Sequence, residues 1–404
     1  MRSVLGALAA LLLSAFLLTM GHGLALLVMP LRAELIGFSA FQISLTGSAY
    51  YGGFVLGCFL APRLIARVGH VRMFAVLGAA LIVVLLALSL ADALMTWLVL
   101  RAGTGILMAG QFMVLETWIN ERATAVTRGR VLAIYVLATL GANTLGQLLV
   151  NVAPVAAADL FMVASMLIAA SIIPIGLTVA ALPAPLRDAQ VQMGLLWRIA
   201  PVAFVGAGIS GFVTGASGGM SAVFARSVGL DVWHVSVYTS AIIAGGALFQ
   251  YPIGRIADHV DRRWALSGLF VGLSLISVLA MLVTVRYPLW LPVVGFCWGG
   301  MAHCIYASAL AHANDRAPLG EIVGIGGAIL VMWGVGAIVG PLGASLLMQQ
   351  LGPMGFFAWA LASGCVALLF VLAQSLRIVP GQSPKRDAGG SVHVSVALPD
   401  RDRG

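Results

Sequence analysis

Two ionisable side chains, Arg101 and Glu116, stand inside one apolar stretch of this 404-residue sequence, residues 94–118. If the stretch is a helix, they share a face and lie about 22 Å apart along its axis. Charge inside a bilayer is costly and usually marks a substrate or ion pathway. Arg101 is predicted to face a central cavity and bind an anion or tune a proton site; the alternative is a structural arginine. Glu116 is predicted to form a structural ion pair at a gate; the alternative is a proton carrier.

Polar residues in other apolar stretches are further candidates for a substrate or coupling site. His22 and His303 can carry protons, because histidine titrates near pH 6.5, although a lone histidine is more often a satisfied core residue. The other candidates are polar or aromatic side chains expected to line a cavity: Tyr50, Tyr51, Gln111, Asn143, Gln147, Gln250 and Trp333.

The composition requires lipid around most of the chain. It is 61% hydrophobic and 9% charged, whereas a soluble domain carries about 25% charged residues. Each apolar run long enough to cross a bilayer must be a helix, because lipid offers the backbone no hydrogen bonds. Twelve such runs predict an all-α membrane protein: 4–30, 40–62, 73–91, 94–118, 131–152, 159–182, 199–223, 235–255, 264–285, 289–311, 322–347 and 354–376.

The basic residues are distributed unevenly between the two sides of the membrane. Of the 22 Lys and Arg residues, only Arg32, Arg226 and Arg286 fall opposite the N-terminus, and Arg101 falls within a span. By the positive-inside rule both termini are cytoplasmic. This pattern explains the net charge of +8 without nucleic acid. We expect a multi-pass protein of a bacterial inner membrane, with the first run too long for a signal peptide.

Signatures of catalysis and cofactor binding are not found in the sequence. It contains no G-x-x-x-x-G-K-[ST] phosphate-binding loop, no Ser/His/Asp set outside the apolar runs and no metal-ligand spacing. Its four cysteines all fall in apolar runs, where buried thiols behave as small apolar groups. We expect no enzymatic activity, no cofactor and no metal.

An internal repeat divides the chain. The segment "GFSAFQIS" begins at Gly37, and "GLDVWHVS" begins 192 residues later at Gly229. At the same offset the charged stretch "GRIADHVDRR" corresponds to "PRLIARVGHVR". The repeat predicts two parallel six-helix halves, an arrangement that places a site between them. The predicted domains are a first bundle (1–182), a cytoplasmic linker (183–198), a second bundle (199–376) and a disordered tail (377–404).

The charged stretch resembles the G-x-x-x-D-R-x-G-R-[KR] loop of the major facilitator superfamily. Gly254, Asp258, Arg262 and Arg263 match that motif, while His259 and Asp261 depart from it. The segments "RAGTG" at 101–105 and "GPLGA" at 340–344 resemble other elements of the family, and "ETWINERA" resembles a bacterial subgroup of unknown substrate. The resemblance implies two six-helix bundles and transport by alternating access.

The charged loops are predicted to form a cytoplasmic gate. Asp258 is expected to meet the start of the fifth span, where a carboxylate complements the helix dipole. The alternative is that the loop only sets topology. The first-half copy of the motif has Ala66 where the motif has Asp, so the equivalent contact in the first half should be weak. The predicted gate comprises Gly254, Asp258, Arg262, Arg263, Arg67, Gly69, Glu116, Arg128 and Arg130.

Three functional hypotheses remain open at this point. The first is proton-coupled export of a small organic solute, because the expected cavity is apolar and aromatic with few charges. The second is proton-coupled uptake of an organic anion held by Arg101. The third is a membrane receptor that does not transport. The expected partners are the lipid bilayer, a small-molecule substrate and protons or another coupling ion; we expect a monomer that binds no nucleic acid.

Overall fold

The computed structural model describes residues 2–122, 128–177, 191–318 and 321–377, with side chains described in 8–119, 131–177, 191–318 and 321–374. This part of the chain is built from α-helices and short connections and has no strand. The helices are α1 (Arg2–Leu35), α2 (Ala40–Val68), α3 (His70–Ser89), α4 (Leu94–Arg122), α5 (Arg128–Leu148), α6 (Asp159–Gly176), α7 (Met193–Ile199), α8 (Pro201–Ser227), α9 (Val232–His259), α10 (Arg262–Arg286), α11 (Leu291–Asn314), α12 (Ile322–Leu351) and α13 (Gly355–Arg377).

Apart from the short α7, these helices are long enough and apolar enough to cross a membrane. Eleven continuous stretches qualify within the described ranges, and the last of them, Ile322–Gln374, contains both α12 and α13. A 3₁₀ turn at Gly352–Met354 separates these two helices, and Gly352 has a φ of 64°, a value that glycine adopts at no steric cost. The predicted all-α fold of twelve membrane helices is confirmed.

The boundaries of the helices differ from those of the apolar runs. Helix α2 continues to Val68, whereas the run ends at residue 62, because hydropathy records contact with lipid and a helix can extend beyond the bilayer. Helix α2 begins with a capping box between Ser39 and Gln42. The expected linker contains helix α7. Residues 183–190 of that linker, and 378–404 of the expected tail, lie outside the described residues.

The repeat seen in the sequence recurs in the packing of the helices. A Cβ atom built on Gly53 of α2 would lie 1.9 Å from the carbonyl oxygen of Ala102 in α4. One built on Gly245, 192 positions later in α9, would lie 1.8 Å from the carbonyl oxygen of Phe296 in α11. The second and fourth long helices of each half therefore pack backbone to backbone, as small residues permit in membrane proteins.

The two groups of helices, α1–α6 and α8–α13, meet mainly through α2 with α12, α5 with α9, α2 with α8 and α1 with α8. We call the end where α1 begins the terminal face, and the end where α1 ends the distal face. Five described polar contacts join the groups, and all lie toward the distal face: Ser345 Oγ to Ser44 Oγ (2.9 Å), Ser48 Oγ to Ile338 O (2.6 Å), Asn151 Nδ2 to Ser236 Oγ (2.9 Å), Ser240 Oγ to Thr144 O (3.2 Å) and Arg226 to Glu34 (4.0 Å).

Candidate functional site: a cavity between the two helix groups

A cavity of about 620 Å³ lies between the two helix groups. Its volume is in the range that binds drug-sized molecules. Both groups contribute to its wall, which is formed by Leu26, Leu27, Pro30, Tyr51, Phe54, Glu116, Leu140, Asn143, Gln147, Ser210, Thr214, Ser217, Gly218, Ser221, Ala222, Thr239, Ile243, Gln250, His303, Tyr306, Leu330 and Trp333. The predicted candidates Asn143, Gln147, Gln250, His303 and Trp333 are therefore in one place.

A stripe of hydroxyl groups on α8 supplies much of the polar wall. Ser210, Thr214, Ser217 and Ser221 all line the cavity, and their spacing of four, three and four residues keeps them on one helix face. Sequence reasoning did not identify this stripe, although the spacing is visible in the sequence. The stripe gives the cavity hydrogen-bonding groups without charge.

Four aromatic rings form a cluster in the cavity wall, with Trp333 at its centre. The centroid of the Trp333 ring lies 5.9 Å from that of Tyr51, 6.3 Å from that of Phe54 and 6.2 Å from that of Tyr306, each in edge-to-face geometry. The indole nitrogen of Trp333 donates a hydrogen bond to Thr214 Oγ1 at 3.1 Å. We call these four rings the aromatic cluster; it orients π faces and edges around apolar space.

The aromatic cluster crosses from one helix group to the other. Tyr51 and Phe54 belong to α2, whereas Tyr306 and Trp333 belong to α11 and α12. A Cβ atom built on Gly218 of α8 would lie 2.5 Å from the hydroxyl oxygen of Tyr51. Tyr51 therefore reaches the second group at a position where only glycine leaves room for it.

Glu116 lies in the wall of this cavity and its side chain is exposed to it. The hydroxyl of Tyr135 donates to Glu116 Oε1 at 3.5 Å. The predicted role of Glu116 at the cytoplasmic gate stays a prediction, because the side chains of 120–130 lie outside the described residues. Among the described lining residues it is the one Asp or Glu.

Arg101 lies behind the cavity rather than in its wall. Its side chain is buried, and its guanidinium lies 4.7 Å from the centroid of the Tyr50 ring and 2.8 Å from Met29 Sδ. His22 is buried beside it, with Nε2 3.2 Å from the Tyr50 hydroxyl. Arg101, Tyr50 and His22 therefore form a buried polar cluster separated from the cavity lining, whereas the sequence predicted that Arg101 would face the cavity.

The remaining candidates occupy different environments. Gln111 is fully buried and donates through Nε2 to the carbonyl oxygen of Phe74 at 3.1 Å, which ties α4 to α3 away from the cavity. His303 lines the cavity and donates through Nδ1 to the carbonyl oxygen of Gly299 at 3.0 Å. In the neutral ring Nε2 is then an acceptor. Within the described ranges, no three His, Cys, Asp or Glu side chains are grouped to hold a metal ion.

The charged stretch at 254–263 connects helices of the second group to one another. Arg262 donates to Asp258 at 3.1 Å and to Asp315, after α11, at 2.5 Å. Asp261 caps α10 by accepting from the backbone N–H of Arg263 at 2.8 Å. The expected contact of Asp258 with the start of α5 stays a prediction, because the side chains of 128–130 lie outside the described residues.

Three further gate candidates lie in or next to the last turns of α2 and α9. Gly254 lies within α9, and a Cβ atom built on it would meet nothing within 4 Å. Arg67 is exposed in the last turn of α2. Gly69 has a φ of 87° between α2 and α3, a conformation that glycine adopts readily and other residues avoid.

Comparison with known proteins finds similarity to one family of transporters in sequence and in fold. The sequence model of the Major Facilitator Superfamily matches residues 203–398. An uncharacterized MFS-type transporter, YcaD, from Escherichia fergusonii is 24% identical over 364 residues, which cover 90% of this chain and 94% of the relative. YcaD from Salmonella enteritidis is 25% identical over 376 residues, covering 93% and 96% respectively.

Solved structures share the fold. The crystal structure of the nucleoside transporter NupG has a TM-score of 0.72 at 13% identity, covering 92% of this chain and 98% of NupG. A bacterial homolog of the human lysosomal transporter Spinster, in an inward-facing and occupied conformation, has a TM-score of 0.69 at 17% identity, covering 92% and 95%. The chain therefore has the major facilitator fold and resembles that superfamily in sequence.

Proposed function

We propose that this chain, which has the major facilitator fold, is a secondary transporter that moves a small organic solute across a bacterial inner membrane by alternating access. The observation that carries the proposal is the cavity between the two helix groups, together with five polar contacts between described residues that join the groups toward the distal face. A site between two repeats, with contacts that join the repeats at one end of it, fits transport by rocking of one bundle against the other.

We further propose export as the direction of transport. The excess of basic residues favours a cytoplasmic terminal face, which would make the distal face, where the described contacts between the groups lie, periplasmic. The solute then binds from the cytoplasm, and breaking the distal contacts releases it on the other side. The protein works as a monomer, because both walls of the cavity come from one chain.

Protons are the proposed coupling ion, and Glu116 is the group that carries them. A carboxylate in a membrane-spanning cavity is stabilised by protonation or by an opposite charge. Its exposure to the cavity lets it exchange a proton with the side to which the cavity opens. His303, in the same wall, offers a neutral acceptor nitrogen that can relay a proton.

Uptake of an organic anion, the second hypothesis, has less support. It requires Arg101 at the substrate, and the structure instead buries that guanidinium against the Tyr50 ring and Met29. No specific observation favours a receptor that does not transport.

A disulfide across the distal face tests alternating access. Ser44 Oγ and Ser345 Oγ are 2.9 Å apart, so Ser44→Cys combined with Ser345→Cys should cross-link on oxidation. The test uses a background in which the four free cysteines, Cys58, Cys297, Cys304 and Cys365, are serine. A third cysteine, Ser217→Cys in the cavity wall, reports access to a membrane-impermeant maleimide.

The maleimide should label the cavity cysteine from the periplasmic side before oxidation. Oxidation, which forms the cross-link, should abolish this labelling, and reduction of the cross-link should restore it. Proton flux in proteoliposomes should appear on addition of a transported solute and disappear in the cross-linked protein. The control combines Ser217→Cys with Ser44→Cys alone. Periplasmic labelling that the cross-link leaves unchanged would refute alternating access at this interface.

A further inference from the structure

We infer that the solute is uncharged and has two parts, a polyhydroxylated group in the distal end of the cavity and an aromatic ring against the aromatic cluster, as in an aryl glycoside. This substrate class rests on the proposed transport function and makes it more specific. Three features of the cavity support it: the uncharged polar groups at its distal end, the polar atoms there that lack partners, and the position of the aromatic cluster beside them.

The distal end of the cavity wall is polar and uncharged. Asn143 and Gln147 lie fifteen and nineteen residues from the start of α5, about 22 Å and about 28 Å from the terminal face. Ser217 and Ser221 of α8 and Thr239 of α9 lie about 24–30 Å from the same face. All five line the cavity. A solute bound at this depth meets carboxamides of the first helix group and hydroxyls of the second.

The carboxylate of the cavity wall lies toward the other end. Glu116 is six residues before the end of α4, about 9 Å from the terminal face, so about 13 Å of depth separates it from Asn143. An ion at the distal end would exchange its hydration for uncharged dipoles, which is costly. Hydroxyl groups of a neutral solute exchange hydrogen bonds to water for hydrogen bonds to the wall, which is not.

The polar groups of the wall favour a solute that donates hydrogen bonds. Thr214 and Ser221 donate their hydroxyl hydrogens to carbonyl oxygens of α8 at 2.7 Å and 2.5 Å, so each offers a solute its oxygen lone pairs. Ser210 Oγ, Asn143 Oδ1 and Gln147 Oε1 are buried and have no hydrogen-bond partner among the described residues. Rotation about the last side-chain bond can turn either end of a carboxamide toward the cavity. Unpartnered buried polar atoms are uncommon and costly, and the hydroxyls of a bound solute would pair with them.

The aromatic cluster begins on the terminal side of this polar end and reaches its depth. Trp333 is eleven residues into α12, about 16 Å from the terminal face, and Tyr51 is seventeen residues before the end of α2, about 26 Å from it. The hydrogen bond from Trp333 to Thr214 places the cluster in contact with the hydroxyl stripe. An aromatic ring packs favourably against such rings. A phenyl group joined through one oxygen to a hydroxylated ring therefore matches the two adjacent surfaces.

Phenyl glycosides test this substrate class. The affinities of phenyl β-D-glucoside, phenyl β-D-galactoside and phenyl α-D-mannoside for the full chain are measured by calorimetry in lipid nanodiscs, because glycoside detergents would compete. Methyl β-D-glucoside lacks the aromatic ring, and phenol lacks the hydroxylated ring. Phenyl β-D-glucuronide adds a negative charge to the same body, and phenyl β-D-glucosaminide adds a positive charge. We expect at least one of the three phenyl glycosides to bind about tenfold or more tightly than each of these four molecules.

Variants of the wall separate recognition from packing. Gln147→Met and Ser210→Ala remove hydrogen-bonding groups at nearly constant shape, so each should weaken the phenyl glycoside about three- to tenfold and leave phenol unchanged. Ser210→Ala removes a buried hydroxyl that has no described partner, so it should not lower Tm. Gln349→Met makes the first change at an exposed glutamine near the end of α12; it is the matched control and should change nothing. Trp333→Leu should weaken the phenyl glycoside and leave methyl β-D-glucoside unchanged.

The substrate class is wrong if none of the three phenyl glycosides binds, or if phenol, methyl β-D-glucoside or either charged analogue binds as tightly as the best of them. It is also wrong if Gln147→Met and Ser210→Ala both leave the affinity for the glycoside unchanged. These results are independent of the disulfide experiment on Ser44 and Ser345, whose labelling readout uses no ligand. A protein that alternates access but prefers a charged or purely apolar probe would retain the transport function and refute only the substrate class.

Discussion

Replacing Gly53 by alanine should destabilise the protein, while the same change at the adjacent Gly52 should not. A Cβ atom on Gly53 would lie 1.9 Å from the carbonyl oxygen of Ala102, and other backbone atoms of that residue lie within 2.9 Å. Contacts under 3.0 Å force a shift, so α2 and α4 must separate by about 1 Å or more. A Cβ atom on Gly52 meets nothing within 4 Å.

The size of the effect follows from two opposing contributions. Overpacking against a rigid neighbour typically costs about 1–3 kcal/mol, whereas alanine favours a helix over glycine by about 0.5–1 kcal/mol. Gly53→Ala should therefore lose about 1–2 kcal/mol of unfolding free energy, and Gly52→Ala should gain up to about 1 kcal/mol. The two variants should differ by several degrees in Tm.

Thermal unfolding of the purified variants in one detergent, followed by intrinsic fluorescence, measures this difference. The repeat provides a second, independent pair: Gly245→Ala would place its Cβ atom 1.8 Å from the carbonyl oxygen of Phe296, whereas Gly268→Ala meets nothing within 4 Å. The reasoning is refuted if Gly53→Ala and Gly245→Ala unfold at or above the temperatures of their respective partners.

Three further changes test the charged groups. Asp258→Asn should lower the free energy of unfolding by less than about 1 kcal/mol, because the carboxylate is exposed. If Asp258 makes the predicted contact with the start of α5, the substitution should also increase labelling of a cavity cysteine from the cytoplasmic side. Unchanged labelling would mean that the loop only sets the topology. Arg101→Lys keeps the charge but loses the planar fork over the Tyr50 ring, so it should lower Tm without changing the solute-driven proton flux in proteoliposomes. A large loss of flux would return Arg101 to the binding site. Hydrogen bonds from the backbone and ring nitrogens of His234 hold the pKa of Asp231 below its usual 3.8. The Asp231 carboxylate therefore stabilises the folded state at neutral pH, and this stabilisation is lost as the pH falls through the lowered pKa. The Tm difference between wild type and Asp231→Asn should shrink in acid, and a difference independent of pH would contradict this.

The number of membrane helices and the repeat of the halves could be predicted from the sequence. Apolar runs of about 20 residues must be helical in lipid, and the offset of 192 between Gly37 and Gly229 relates two similar halves. The packing of Gly53 and Gly245 at the same offset shows that the repeat extends to helix contacts. Helix ends were less predictable, because hydropathy marks the lipid boundary and capping sets the helix terminus.

The candidate site was only partly predictable. Asn143, Gln147, Gln250, His303 and Trp333 line the cavity as a group, and polarity within apolar runs was the signal that identified them. The same signal also selected residues that lie elsewhere, namely His22, Tyr50, Arg101 and Gln111. Phe54, Tyr306 and the α8 hydroxyls were missed, since aromatic residues and serines are common in membrane helices and need no functional explanation.

What the sequence by itself determined is therefore the set of helices, their order and their relative orientation across the membrane. The tertiary structure decided which side of each helix faces the cavity: it placed Glu116 in the cavity wall and buried Arg101 behind it, although Arg101 was predicted to face the cavity. The physical reason is that both sit on a helix whose surroundings, lipid and protein interior, are equally apolar, so hydrophobicity does not mark the inward face. Only the packing of α4 against α2 and α3 turned Glu116 toward the cavity while Arg101 was buried beside Tyr50.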